Sequence, residues 1–220
     1  MPARPFCYAG DMRIEFQDNA DDAAIADWLE AELRAAFDAS EGRCAIAVPG
    51  GSTPFPIFET LVKRDLDFAR LDVWPGDDRV VPEDHAASNT GKIRQAFEPV
   101  GARVIALEPD AAPPPFALVW LGMGADGHIA SLFPNTDPQS DDPRPVRRLT
   151  PDPLPPEAPF DRITLTMPSL LQCERMVFVI RGEAKRAVFD AALAGEHDLP
   201  IARLLRAADE RSGLAVTCFT

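Results

Sequence analysis

The chain has 220 residues, 46% of them hydrophobic, and a formal net charge of −13 at pH 7. That length and apolar content can build one substantial core, so a single unit spanning 1–220 is expected. The acidic balance argues against nucleic acid, whose phosphates are met by clusters of Lys and Arg.

No apolar run approaches the ~20 residues of a membrane helix, so no membrane contact is expected. The N-terminus lacks a charged start followed by an apolar stretch, so it does not read as a signal peptide. Cys7, Cys44, Cys173 and Cys218 show no CxxC spacing, and three of them lie in apolar, strand-like runs. This is the pattern of buried reduced thiols, not of a disulfide frame or a zinc site. The expectation is a cytoplasmic protein, either a monomer or a small homo-oligomer.

In chain order, 21–39 reads as a helix, with Ile25, Trp28, Leu29, Leu33, Ala36 and Phe37 on one face. The apolar run 44–48 reads as a buried strand. Thr53 as N-cap and Pro54 at the first helical position then predict a helix to about 64. A strand over 71–75 leads into the charged turn Gly76-Asp77-Asp78-Arg79, and Ser88 and Asn89 cap a helix running to Phe97. Strands are predicted over 103–107 and 116–121. The Pro-, Asp- and Arg-rich stretch 134–159 has no apolar period and reads as a long surface loop. Strands over 162–166 and 176–180, a helix over 183–194 and a strand over 214–219 complete the chain. No internal repeat is present. This alternation predicts an α/β fold: three layers, a mostly parallel sheet with helices on both faces.

Ligands collect at the carboxyl ends of strands in such sheets, and three polar, Gly-bearing segments fall there, after Val48, Pro75 and Leu121. Gly50-Gly51-Ser52-Thr53 suits a phosphate cradle, because glycine lets backbone N–H groups approach an anion at a helix N-terminus. A tight turn with an N-cap accounts for it equally well. In Asp77-Asp78-Arg79 the Arg could clamp an anion and an Asp could orient a base or a sugar hydroxyl. Taken alone, a solvated charged turn is the simpler account.

Gly122-Met123-Gly124-Ala125-Asp126-Gly127 matches GxGxxG after a strand, but Pro134 arrives too early for the long helix of a dinucleotide site. His128, just past these glycines, is the better candidate: a general base, since an unperturbed imidazole has a pKa of about 6.5. Lys185, near the start of its helix, could point a cation at a phosphate. His85 and His197 have no such setting and are assigned no role.

Together these blocks resemble the 6-phosphogluconolactonase family, within the larger glucosamine-6-phosphate isomerase/lactonase group. The matching segments are 49–54, Asp77-Asp78-Arg79-Val80-Val81-Pro82 with Ser88-Asn89, and 121–134. A weaker fourth match runs from 162–166 to 182–185. Related deaminases share the Gly-rich turn and its His but continue with Phe-Asn-Glu-Pro, where this chain has Ser131-Leu132-Phe133-Pro134. The family usually has Glu where Asp78 stands.

The resemblance implies a Rossmann-like fold of the isomerase/lactonase type. It also implies hydrolysis of 6-phospho-D-glucono-1,5-lactone to 6-phosphogluconate in the oxidative pentose phosphate pathway, with no cofactor and no metal. His128, Arg79, Asp77 and Asp126 become the expected catalytic residues. Gly50, Gly51, Ser52, Thr53, Asn89, Gly124 and Lys185 become the expected substrate-binding residues. An aminosugar-phosphate isomerase or deaminase, and a non-catalytic sugar-phosphate sensor, are the alternative readings.

Overall fold

A computed structural model describes residues 5–7, 13–156, 158–211 and 213–220. The first residues, read above for a signal peptide, and the side chain of Cys7 lie outside what is described.

The elements follow the predicted alternation. The chain opens with β1 (Pro5–Cys7), β2 (Arg13–Gln17), α1 (Asp22–Ala39), β3 (Cys44–Val48), α2 (Pro54–Leu61) and β4 (Leu71–Pro75). The middle third holds β5 (Asp77–Arg79), α3 (Asn89–Phe97), β6 (Arg103–Val104), β7 (Phe116–Leu121) and β8 (Val146–Leu149). Then come β9 (Arg162–Leu165), α4 (Met167–Leu171), β10 (Cys173–Val179), α5 (Glu183–Leu193), α6 (Pro200–Asp209) and β11 (Ala215–Phe219).

Eight strands form the main sheet in the order β1-β2-β11-β10-β7-β3-β4-β6, parallel throughout except for the β1–β2 edge pair. Its central strands are apolar on both faces. Cys44, Ile46 and Val48 pack with α1, α2 and α3, whereas Ala45 and Ala47 join a second cluster with residues of α4, α5 and α6. Alternate side chains of a strand point to opposite faces, so a run buried throughout needs helices on both sides. Among the described residues, no helix is long and apolar enough to cross a membrane. Cys44, Cys173 and Cys218 are unpaired, and burial pushes the thiols of Cys173 and Cys218 up to about 12.

Several boundaries differ from the sequence reading. The stretch expected as loop over 134–159 contains β8, which pairs antiparallel with β9. β8 is only Val-Arg-Arg-Leu at the edge of a three-stranded sheet, too short and too charged to show a period. The charged turn at Asp77–Arg79 is itself a strand of that small sheet, paired with β9. Thr53 already has helical dihedrals and makes no side-chain cap, so Pro54 rather than a hydroxyl marks the start of α2. The strand expected over 103–107 is regular only at Arg103–Val104. The strands β1 and β2 and the helices α4 and α6 are not predicted from the sequence.

From β3 the chain moves one way along the sheet to β4 and β6, and from β7 it moves the other way to β10 and β11. The adjacent pair β3 and β7 is therefore the point where the winding reverses. The crevice outside the carboxyl ends of such a pair is where open α/β sheets bind ligands.

Candidate active site

A cavity of about 360 Å³ opens at that crevice. The loop after β3 contributes Gly50, Gly51, Ser52 and Thr53, and the segment after β4 contributes Asp77 and Arg79. Asn89 comes from the start of α3, Gly124 and His128 from the turn after β7, and Lys185 from the first turn of α5. Asp126 alone among the sequence-predicted residues does not line the wall; it reaches the cavity through His128.

Gly51 adopts φ of +89°, in the left-handed region open to glycine, and so turns the chain between β3 and α2. Gly50 is needed for space instead. A Cβ there would come closer than 3.0 Å to the Asn89 side-chain amide.

Asn89 is itself fixed on two sides. Its Nδ2 donates to the Asp77 carbonyl at 3.0 Å, and its Oδ1 accepts from Arg79 Nη1 at 3.2 Å. Arg79 Nη1 also donates to the Ala87 carbonyl at 2.9 Å. The glycine loop, β5 and the start of α3 are thereby tied into one wall.

Asp78 organises that wall from behind. Only 6% exposed, its Oδ1 accepts from the backbone N–H of Asn89 at 2.6 Å and of Arg79 at 2.7 Å. Its Oδ2 accepts from Thr90 N at 2.9 Å and from Ser88 Oγ at 3.2 Å. Ser88 caps α3 through Gly91 N. The carboxylate meets the unpaired donors and positive end of a helix, a favourable place for negative charge. Asp78 thus positions Arg79 and Asn89.

The turn after β7 is a compact hairpin: Gly124 N donates to the His128 carbonyl at 2.9 Å, and Met123 bridges to Ile129. Gly127 takes φ of +78°. A Cβ on Gly124 would collide with the His128 ring and the Asp126 carboxylate, so only glycine lets the ring fold over the turn. His128 Nδ1 lies 2.6 Å from Asp126 Oδ1. A carboxylate there accepts the Nδ1 proton and leaves Nε2 as the basic nitrogen. The Phe133 ring packs against the imidazole, with centroids 4.8 Å apart. No long helix follows the turn before β8.

Two wall residues with polar side chains escaped the sequence reading as site residues. Ser131 is fully buried and donates its hydroxyl to Asp77 Oδ2. Arg162, 3% exposed, begins β9 and faces the same cavity. Its sequence signals were a charge opening a mostly apolar strand and its place in the weaker fourth segment of the family resemblance. Burial pushes the Asp77 carboxyl above the usual carboxylate range, opposed by the Ser131 hydrogen bond and the charge of Arg79. Burial also lowers the Arg162 guanidinium from its usual value, and the like charge of Arg79 adds to this. Among the described residues, no three His, Cys, Asp or Glu side chains group as a metal site.

Comparison with known proteins bears on this geometry. The family model described as glucosamine-6-phosphate isomerases/6-phosphogluconolactonase matches residues 18–108 and 100–212. The chain is 36% identical over 207 residues to a 6-phosphogluconolactonase of Pseudomonas aeruginosa, covering 83% of this chain and 86% of that protein. It is 35% identical over 207 residues to a 6-phosphogluconolactonase of Neisseria meningitidis, covering 82% and 87%. A crystal structure of a 6-phosphogluconolactonase from Shewanella baltica superposes with a TM-score of 0.77 at 25% identity, covering 93% of this chain and 97% of that one.

Proposed function

Because the chain belongs to the glucosamine-6-phosphate isomerase/6-phosphogluconolactonase family, we propose that it hydrolyses 6-phospho-D-glucono-1,5-lactone to 6-phosphogluconate. The observation that carries the chemistry is the 2.6 Å contact between His128 Nδ1 and Asp126 Oδ1 beside the cavity. An imidazole held in that tautomer presents Nε2 as a general base.

His128 Nε2 removes a proton from a water whose oxygen attacks the lactone carbonyl carbon. Negative charge moves to the carbonyl oxygen, where the Arg79 guanidinium, fixed by Ala87 and Asn89, is a ready donor. The intermediate then collapses, the bond from C1 to the ring oxygen breaks, and the imidazolium returns its proton to that oxygen. The product is an open-chain carboxylic acid, which releases its remaining proton to solvent to become the carboxylate, and His128 is neutral again.

Ser52, Thr53, the Gly50–Gly51 backbone and Lys185 hold the remote phosphate, whose binding positions the ester for attack. Lys185 sits in the first turn of α5, where a cation opposes the helix dipole, and an incoming dianion offsets that cost. The motif in 131–134 favours the lactonase over the deaminase branch, because the Asn-Glu pair of the deaminases is absent.

The test is hydrolysis of the phosphorylated lactone by purified protein against the spontaneous background. Acceleration that disappears in His128→Ala supports the reading. A rate equal to background, with a folded protein, rejects it.

A further inference from the structure

Arg79 and Arg162 stand directly opposite each other across the antiparallel β5–β9 pair. Like charges in that relation repel, and burying a cation adds a further cost. Asp77, Asp78 and Asp161 offset part of the repulsion at longer range. The groups that hold both guanidinium ions at contact distance are neutral oxygens: Ala87 and Asn89 for Arg79, Phe160 and Ala158 for Arg162. The two carbonyls on Arg162 fix its orientation while using only part of its five-donor fork. A fixed, desolvated fork with donors to spare is suited to a planar carboxylate.

The pair lies at the His128 end of the cavity. The Arg162 guanidinium is 5.9 Å from the Phe133 ring centroid, and that ring packs on His128. Asp77, on the same strand pair, feels the charges of both Arg79 and His128. Lys185 enters from beyond β10, on the other side of β7 from β3 and β4.

We propose that Arg162 and Arg79 form a two-guanidinium clamp for the lactone end of the substrate. It holds the carbonyl oxygen as charge develops and then the carboxylate that hydrolysis leaves at C1. This assigns Arg162 a substrate-binding role and rests on the lactonase reading above.

Two unreactive ligands isolate the clamp: 6-phosphogluconate, and D-glucitol 6-phosphate, which carries a hydroxymethyl group in place of the carboxylate. With calorimetric Kd values for both, Arg162→Gln should weaken 6-phosphogluconate about tenfold to a hundredfold. D-Glucitol 6-phosphate should stay within about twofold, since its phosphate contacts are untouched. Equal weakening of both ligands, or weakening of neither, overturns the clamp. If Arg162→Gln lacks a cooperative melt, Arg162→Lys keeps the charge without the fork. A severalfold loss confined to 6-phosphogluconate is then expected, and equal behaviour of the two ligands again overturns the proposal. Wild-type protein that leaves the lactone untouched rejects the lactonase reading and the clamp with it. Active wild-type protein, with an Arg162→Gln variant that treats both ligands alike, rejects the clamp alone.

Discussion

The side-chain amide of Asn89 fills the space that a Cβ on Gly50 would need, so the glycine loop and the start of α3 fit only as a pair. The backbone of Gly50, unlike that of Gly51, lies outside the left-handed region, so its requirement is steric. Gly50→Ala should push Asn89 away, and Arg79 with it, because Arg79 donates to Asn89 Oδ1. Overpacking of this kind costs about 1–3 kcal/mol, and kcat/KM should fall along with stability. Adding Asn89→Ala should recover part of the stability but none of the activity. Thermal melts and kinetics of the two single variants and the double variant test this, and strictly additive stability losses would show the contact to be unimportant.

His128 and Asp126 should separate in kinetics. His128→Ala removes the base and should lower kcat by roughly a hundredfold or more with little change in KM. Asp126→Asn keeps the shape of the partner but removes its charge, and more than half of that side chain is exposed. Its loss should be smaller, on the order of tenfold, again in kcat. A rise in KM alone for either variant would move the pair from chemistry to binding.

Asp78 should be a stability residue with an indirect effect on the site. Its carboxylate serves Asn89 N, Thr90 N, Arg79 N and Ser88 Oγ at once. An amide in its place turns one acceptor into a donor that faces other donors. Asp78→Asn should cost about 1.5–3 kcal/mol, lower the Tm and weaken turnover through Arg79 and Asn89. Wild-type Tm would mean that α3 holds its N-terminus without this carboxylate.

Much of the fold was legible because its central strands are short, continuously apolar runs bounded by glycine or proline, as at Cys44–Val48 and Phe116–Leu121. His128, Gly124 and the glycine loop were legible for a related reason, since they fall at the ends of those runs. What stayed hidden depends on register and on long-range packing. Ser131 reaches Asp77 across 54 residues, and Arg162 faces Arg79 only because Asp77–Arg79 is a strand, which its charges conceal. α6 is a different case. Ile201, Leu204, Leu205 and Ala208 are buried at helical spacing, so that period was available in the sequence although no helix is predicted from it.

Lys185→Ala should raise KM for the phosphorylated lactone far more than for unphosphorylated gluconolactone. The whole chain is acidic, so phosphate recognition has to come from short-range contacts in the cavity. Loss of one charge-assisted hydrogen bond corresponds to about 1.5–3 kcal/mol, roughly tenfold to a hundredfold in affinity. The measurement is the ratio of kcat/KM for the two lactones in wild type and variant. An unchanged ratio would transfer the phosphate to the amides and hydroxyls of the loop 50–53.

Asp77 should make folding and function pull in opposite directions. Burial raises its carboxyl above the ordinary value of 3.8, so the unfolded chain releases this proton at lower pH than the folded one. Below about pH 3.8 both states keep the proton and the group costs nothing. As pH rises through the folded value, ionisation favours the unfolded chain, and that contribution to stability is lost. Asp77→Asn removes the ionisation while leaving an oxygen for the Ser131 hydroxyl. The variant should therefore melt higher than wild type at neutral pH, and the gap should close as pH falls towards 3.8. Activity should drop in the same variant, as expected where a buried charge is kept for function at the expense of stability. Paired melts across that pH range decide the point. A gap that persists at low pH would place the gain in packing, and a variant less stable than wild type at neutral pH would mean that Arg79 and Ser131 outweigh burial.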